Sequence, residues 1–234
     1  MISKIAAEME RAWIGKLPAP FPTDLKPDLT LEEAYRVQDL LSSKLVDPFG
    51  AVSGYKVAFT SPEEQRKFGI SEPVTGRVFA SQAVPEGVSL NSGEYRLFHI
   101  ETEIAFVVGT AIKTPVESLE ELRESVASIH LVFDIADNRF DLSRRPQKIT
   151  DFVAAGAGAH AYALGPAVHK PFPELDKLEL SMSRDGVKLY RGNTATLPEG
   201  PWGVFAWMVN HLIKRGITIS PHTLFISGKV APPY

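Results

Sequence analysis

The segment from His99 to Val108 constrains this chain more than any other. Its second half, Ile104-Ala105-Phe106-Val107-Val108, is an unbroken apolar run of β-branched and aromatic residues closed by Gly109. Such a run predicts a strand buried on both faces. Glu101 and Glu103 lead into it at i and i+2. Alternation along a strand puts both carboxylates on one face, roughly 6–7 Å apart at Cα, with His99 beside them. Two ionised carboxylates about 6 Å apart repel by roughly 3 kcal/mol at an effective dielectric of about 20. The fold must neutralise one, supply a cation, or leave this strand end in water. His99 is either a general base on that face or a satisfied strand-end residue.

A second apolar segment, Ile129-His130-Leu131-Val132-Phe133-Asp134-Ile135-Ala136-Asp137, also predicts a strand. Asp134 interrupts its centre, where a charge is costly unless it is paired or bound to metal. Pairing with Arg139 or with backbone donors is the alternative. If the two strands meet, three carboxylates in a chain without cysteine favour a hard cation, Mg²⁺ or Mn²⁺, over zinc.

The 234 residues are 44% hydrophobic with a net charge of −3, which suits one large domain or a domain with a helical appendage. The charge balance gives no basic patch for nucleic acid. No apolar run approaches membrane-spanning length, and Glu8 and Glu10 stand where a secretory signal needs an apolar core. The absence of cysteine excludes thiol chemistry and makes the cytoplasm the default location.

Ile5, Met9, Ala12 and Trp13 share one helical face, predicting a helix over 2–14. Prolines 18, 20, 22 and 27 then make an extended connector. Thr30-Leu31-Glu32-Glu33 is a capping box opening a helix to about Val46. Residues 1–50 are thus expected to form a helical segment packed on a β-rich main domain, 51–234. In that domain, 52–59 predicts a strand containing Lys56, an unusual residue in such a run that reads locally as a snorkelling or edge-strand lysine. Ser61-Pro62-Glu63-Glu64 predicts a boxed helix start, with Gly69 ending the helix. Further expectations are a short strand over 76–80, a helix over 116–126 and a surface loop over 141–148. Beyond these come a hairpin around Asp185-Gly186, a helix over 201–215 and a last strand over 223–230.

Taken in order, Ala34-Tyr35-Arg36-Val37-Gln38, Gly54-Tyr55-Lys56, Glu101-Thr102-Glu103-Ile104-Ala105-Phe106, Asp134-Ile135-Ala136-Asp137-Asn138-Arg139, Ile149-Thr150-Asp151 and Ile226-Ser227-Gly228 form a specific series. The series resembles the 2-keto-4-pentenoate hydratase and 4-oxalocrotonate decarboxylase family of the fumarylacetoacetate hydrolase superfamily. The resemblance implies an α+β fold: a mixed β-sheet roll with peripheral helices and an N-terminal helical segment, assembled as a homo-oligomer. It implies Glu101, Glu103 and Asp134 as ligands of Mg²⁺ or Mn²⁺, and Lys56 as the active-site lysine. Asp151 becomes a candidate to orient Lys56 or a water, or else a helix cap. Thr60, Ser61, Ser227 and Lys229 become candidate contacts for a substrate carboxylate, although Ser61 is also explained as a cap and Lys229 could face solvent.

The activity implied is that of a metal-dependent lyase, a hydratase or decarboxylase acting on a small 2-oxo or 2-hydroxydienoic acid through a metal-stabilised dienolate, as in aromatic meta-cleavage catabolism. Near such an ion Lys56 is expected to lose its proton more easily. Three departures bear on the reaction. Asp134 stands where the hydratases usually have Glu. Pro73-Val74-Thr75-Gly76 lacks the acidic residue of the hydratase Pro-Asp-aromatic-Gly pattern, and Ala154-Ala155-Gly156-Ala157 lacks the two polar residues of Ala-Asp-Asn-Ala. They favour two alternatives: a C–C bond hydrolase or oxaloacetate-type decarboxylase of the superfamily, or a non-catalytic member that keeps the fold. The resemblance also implies a final β segment beyond the end of this sequence.

Overall fold

The computed structural model describes residues 1–231; Pro232, Pro233 and Tyr234 lie outside the described residues. Helix α1 (Ile2–Gly15) buries the Ile5, Met9, Ala12 and Trp13 face read from its periodicity. One turn, α2 (Pro22–Leu25), interrupts the proline connector. Helix α3 (Leu31–Phe49) starts at Thr30 with both halves of its capping box formed. It outlasts the apolar pattern, which fades at Leu45, and stops at Gly50, whose φ of 77° closes the last turn.

Strand β1 (Val52–Ala58), helix α4 (Pro62–Phe68) and strand β2 (Val74–Phe79) follow. Next come β3 (Phe98–Val108), α5 (Leu119–Ser125) and β4 (Val126–Asp137). Helix α5 is shorter than the expected 116–126. The Ser118 side chain accepts the Glu121 N–H at 3.1 Å, which fixes the N-cap there, and Val126 already belongs to β4. After α6 (Ile149–Ala154) and β5 (Ala161–Leu164) comes the predicted hairpin, β6 (Glu179–Arg184) and β7 (Val187–Asn193). Asp185 and Gly186 turn it with φ of 52° and 78°, the positive values a two-residue hairpin loop requires. Helix α7 (Gly200–Lys214) and strand β8 (Leu224–Ile226) complete the chain.

Strand β8 is three residues long where eight were expected. Ser227 N–H still donates to the Ile104 carbonyl at 3.0 Å, but Gly228, at φ 90°, turns away and donates its N–H to the Glu103 side chain instead. The Glu103 side chain thus ends the strand.

The main sheet is mixed and curled, in the order β2-β1-β8-β3-β4-β5; β6 and β7 form a separate ribbon. Strand β8 runs parallel to β1 and antiparallel to β3. On one face of the sheet, Ile104, Phe106 and Val108 pack on Trp202, Phe205, Met208 and Leu212 of α7, with the Phe106 and Phe205 rings stacked at 4.6 Å. A second core joins α1 and α3 to Val74 and Phe79 of β2 and to Val153 of α6. Gln38 ties this junction by donating to the carbonyls of Thr75, at 3.0 Å, and Val153, at 2.8 Å. The departures at Val74 and Ala155 therefore sit in apolar packing, and a Cβ at Gly156 would meet the Trp13 ring at 3.2 Å.

Candidate active site

Register assembles the site. Glu101 lies directly across from Asp134 in the β3–β4 ladder. Ala105, on the same face as Glu101 and Glu103, faces Ile226, and Ile226 faces Lys56. Because directly paired residues project to the same side, Lys56, Glu103, Glu101 and Asp134 all point to one face of the sheet.

One oxygen from each of Glu101, Glu103 and Asp134 lies within 4.8 Å of the others. Glu103 and Asp134 are fully buried. Lys56, also buried, makes an ion pair with Asp134 Oδ2 and lies 4.0 Å from Glu101 Oε2. Glu103 Oε2 accepts the Gly228 N–H, while Glu103 Oε1 and Asp134 Oδ1 are buried with no hydrogen-bond partner. Arg139, the alternative partner for Asp134, is elsewhere: it pairs with Asp137 at 3.7 Å and stacks over Trp13 at 3.8 Å.

Burial, followed by the neighbouring charges of Asp134 and Glu101, holds the Glu103 carboxyl well above its usual range. Burial also raises Glu101, against the pull of Lys56. For Lys56, burial favours the neutral amine, but attraction to Asp134, Glu101 and Glu103 prevails and the ammonium is held above its ordinary value. Crowded carboxylates, all-oxygen donors and unpartnered buried oxygens fit a hard divalent cation.

A cleft of about 220 Å³ opens over this cluster. Lys56, Thr60, His99, Glu101 and Lys229 line it, so the structure brings these predicted residues together. Lys229 Nζ is 3.8 Å from Glu101 and 2.6 Å from Glu64. The Glu64 carboxylate does not reach back to the Ser61 backbone to complete the expected capping box. Instead its carboxylate accepts the Ser61 hydroxyl at 3.0 Å and bonds Lys229, which fastens α4 over the cleft.

Glu103 and Asp134 are fully buried in the cluster and do not form the cleft wall, and three further candidates stay off it. Ser61 accepts the Glu64 N–H at 3.2 Å as the cap of α4. The Ser227 hydroxyl is buried without a partner. Asp151, fully buried in α6, accepts from Thr23 N–H at 2.8 Å, Lys148 N–H at 3.0 Å and Arg145 at 3.0 Å. It anchors the connector and the 141–148 loop, and nothing joins it to Lys56.

Sequence reasoning missed Phe59, Phe68, Phe152, Asn138 and Gln147, which also line the cleft. Asn138 Nδ2 donates to Gln147 Oε1 at 3.0 Å. Phe59 has φ of 60°, a strained value for a bulky residue, held by Gln65 Nε2 donating to the carbonyls of Phe59 at 3.0 Å and Thr60 at 3.2 Å. Only Asn138 stood in a motif; the rings carry no local signal.

Fold and site together define a mixed-sheet protein whose carboxylate cluster suits a divalent cation at the foot of a small-molecule cleft. Residues 56–232 match the fumarylacetoacetate (FAA) hydrolase C-terminal family, and the chain belongs to that family. It is 26% identical over 229 residues to 4-oxalocrotonate decarboxylase of Pseudomonas sp, covering 97% of this chain and 87% of the relative. It is 25% identical to 2-keto-4-pentenoate hydratase of Paraburkholderia xenovorans (strain LB400), covering 93% of this chain and 80% of that protein. The structure of 4-oxalocrotonate decarboxylase from Pseudomonas putida G7, complexed with magnesium and adipate, superposes with a TM-score of 0.92 at 21% identity, covering 99% of this chain and 88% of that one. That likeness establishes the α+β fold of the family.

Proposed function

We propose that this protein is a divalent-metal-dependent lyase, a hydratase or decarboxylase, acting on a small 2-oxo or 2-hydroxydienoic acid. The observation that carries the proposal is the convergence of Glu101, Glu103 and Asp134 with Lys56 in one cluster, with Glu101 and Lys56 on the wall of the cleft. Relatives named as a decarboxylase and a hydratase support the reaction class, and the magnesium in a neighbour of the same fold supports Mg²⁺, with Mn²⁺ as its chemical equivalent.

Glu101, Glu103 and Asp134 would hold the ion, which when bound supplies Lewis acidity that stabilises enolate charge on the acid's C2 oxygen. Lys56, reaching the same face from β1, holds a proton at Nζ and delivers it to, or recovers it from, the substrate. Thr60 and Lys229 flank the substrate carboxylate, and His99 closes the Glu101 end of the cleft. Phe59, Phe68 and Phe152 keep water from the far end. Asp151 acts outside the chemistry, as an anchor of the loop leading into α6.

Cytoplasmic location and assembly as a homo-oligomer belong to the same proposal. Leu131 and Phe133 on β4, exposed by 52% and 43%, give the sheet an apolar outer face suited to a second copy. Among the described residues, no helix is long and apolar enough to cross a membrane.

The deciding experiment assays the Mg²⁺-loaded protein on a 2-hydroxy-2,4-dienoate, on 4-oxalocrotonate and on an acylpyruvate. Dienol hydration or CO₂ release is expected. Acylpyruvate hydrolysis without either lyase turnover would overturn the proposal.

A further inference from the structure

The cleft has two chemically different ends, and their difference bears on which acid fits. At one end Glu101 and Lys56 form the wall, with Glu103 and Asp134 fully buried in the same cluster. Two residues beyond Asp134 on the same face, roughly 6–7 Å along β4, Ala136 begins the other end. A Cβ at Gly158 would lie 3.9 Å from Ala136 and 3.2 Å from the Phe152 ring. Phe152 contacts Phe59 at 5.1 Å between centroids, and Phe59 contacts Phe68 at 4.4 Å. All three rings are only partly buried, and each lines the cleft.

The charges follow the same division. Among the described residues lining the cleft, the ammonium groups are those of Lys56 and Lys229, and no arginine is present. Lys56 is engaged by Asp134 and Glu101, and Lys229 by Glu64 and Glu101. His99, two residues before Glu101 on the same face, lies directly across from Ala136, where the two ends of the cleft meet. The remaining charges on the wall, Glu64 and Asp137, are negative. A second carboxylate on the substrate would therefore meet phenyl rings, the Asn138–Gln147 amide pair and anions, with no ammonium or guanidinium group free to replace its hydration.

We infer that the cleft selects a monocarboxylic 2-oxo acid with a short uncharged hydrocarbon tail, and that Phe59, Phe68 and Phe152 are the specificity-determining residues. The inference rests on the reading of the cleft as a metal-dependent 2-oxo acid site. Phe59 is central to it: a strained backbone held by Gln65 keeps this ring between the other two.

The test is isothermal titration of the Mg²⁺-loaded protein with 2-oxopentanoate and with 2-oxoglutarate, which carries a carboxylate in place of the terminal methyl. Tighter binding of 2-oxopentanoate, by about tenfold or more, is expected. Phe68→Arg, at the C-terminal end of α4, should narrow or reverse that ratio, and Phe68→Leu should leave it in place. Equal or tighter binding of 2-oxoglutarate by the unaltered protein would overturn the tail assignment alone. So would an unchanged ratio in folded Phe68→Arg. Normal Mg²⁺ binding with no uptake of either acid would overturn the 2-oxo acid reading itself, and the tail assignment with it. The comparison in the unaltered protein decides the matter even if the arginine variant does not fold.

Discussion

Glu101 and Asp134 face each other across the β3–β4 ladder, two carboxylates paired where an antiparallel sheet ordinarily sets opposite charges or apolar neighbours. Lys56 reaches them from β1, two strands from Glu101 and three from Asp134, and Glu103 adds a third negative group on the same face. The arrangement costs stability unless a cation completes it.

The first expectation concerns that cation. Mg²⁺ at about one hundred times its dissociation constant should stabilise the protein by about 2.7 kcal/mol. Glu103→Gln should remove most of this gain while raising the stability of the metal-free protein, because a neutral amide replaces a crowded buried carboxylate. Denaturant unfolding with and without Mg²⁺ reads both effects. A metal-induced gain that survives Glu103→Gln would argue against the assigned ligands.

Lys56→Met should separate chemistry from metal binding. Turnover should fall by about 10²-fold or more as the proton carrier is lost. Without metal, Asp134 is left buried and unpaired, so the variant should lose about 3–5 kcal/mol, largely restored by Mg²⁺. Calorimetric Mn²⁺ titration should show binding retained. Loss of metal binding instead would make Lys56 a structural partner of the site.

Asp151→Asn should behave differently. Its carboxylate collects Thr23, Lys148 and Arg145, so its loss should cost about 2–4 kcal/mol of folding stability and loosen the 141–148 loop. Mn²⁺ affinity and the pH profile of turnover should stay as they were. A shifted pH profile would return Asp151 to the chemistry.

His211 supplies a pH dependence away from the site. Burial, with Arg215 and Lys214 nearby, depresses its imidazole to about 4. The unfolded chain takes up this proton near the ordinary histidine value of about 6.5, whereas the folded protein does so only near 4. Stability from this group is thus present above about pH 6.5 and lost as pH falls toward 4. His211→Phe keeps the ring beside Trp207, 4.8 Å away, and should reduce the loss between about pH 7.5 and pH 5 by about 1 kcal/mol, a figure discounted for solvent at this half-buried ring. Urea unfolding at the two pH values checks it.

Local chemistry made much of this protein legible from its sequence. The apolar face of α1, the capping box of α3, the Asp185-Gly186 turn and the strand leading out of Glu101 and Glu103 are short-range consequences of periodicity, caps and positive-φ turns. The carboxylates at 101, 103 and 134 stood out because charges in apolar strands need a reason. Tertiary structure decided what spacing cannot encode. The β8 strand, inserted between β1 and β3, sets the register that brings Lys56 to Asp134, and Gly228 leaves the ladder to serve Glu103. Asp151 and Glu64 took their partners from segments far along the chain. Phe59, Phe68 and Phe152 met at one end of the cleft for the same reason. A side chain's type is written locally, but its partner depends on which strands lie side by side, and that is settled only when the whole sheet closes.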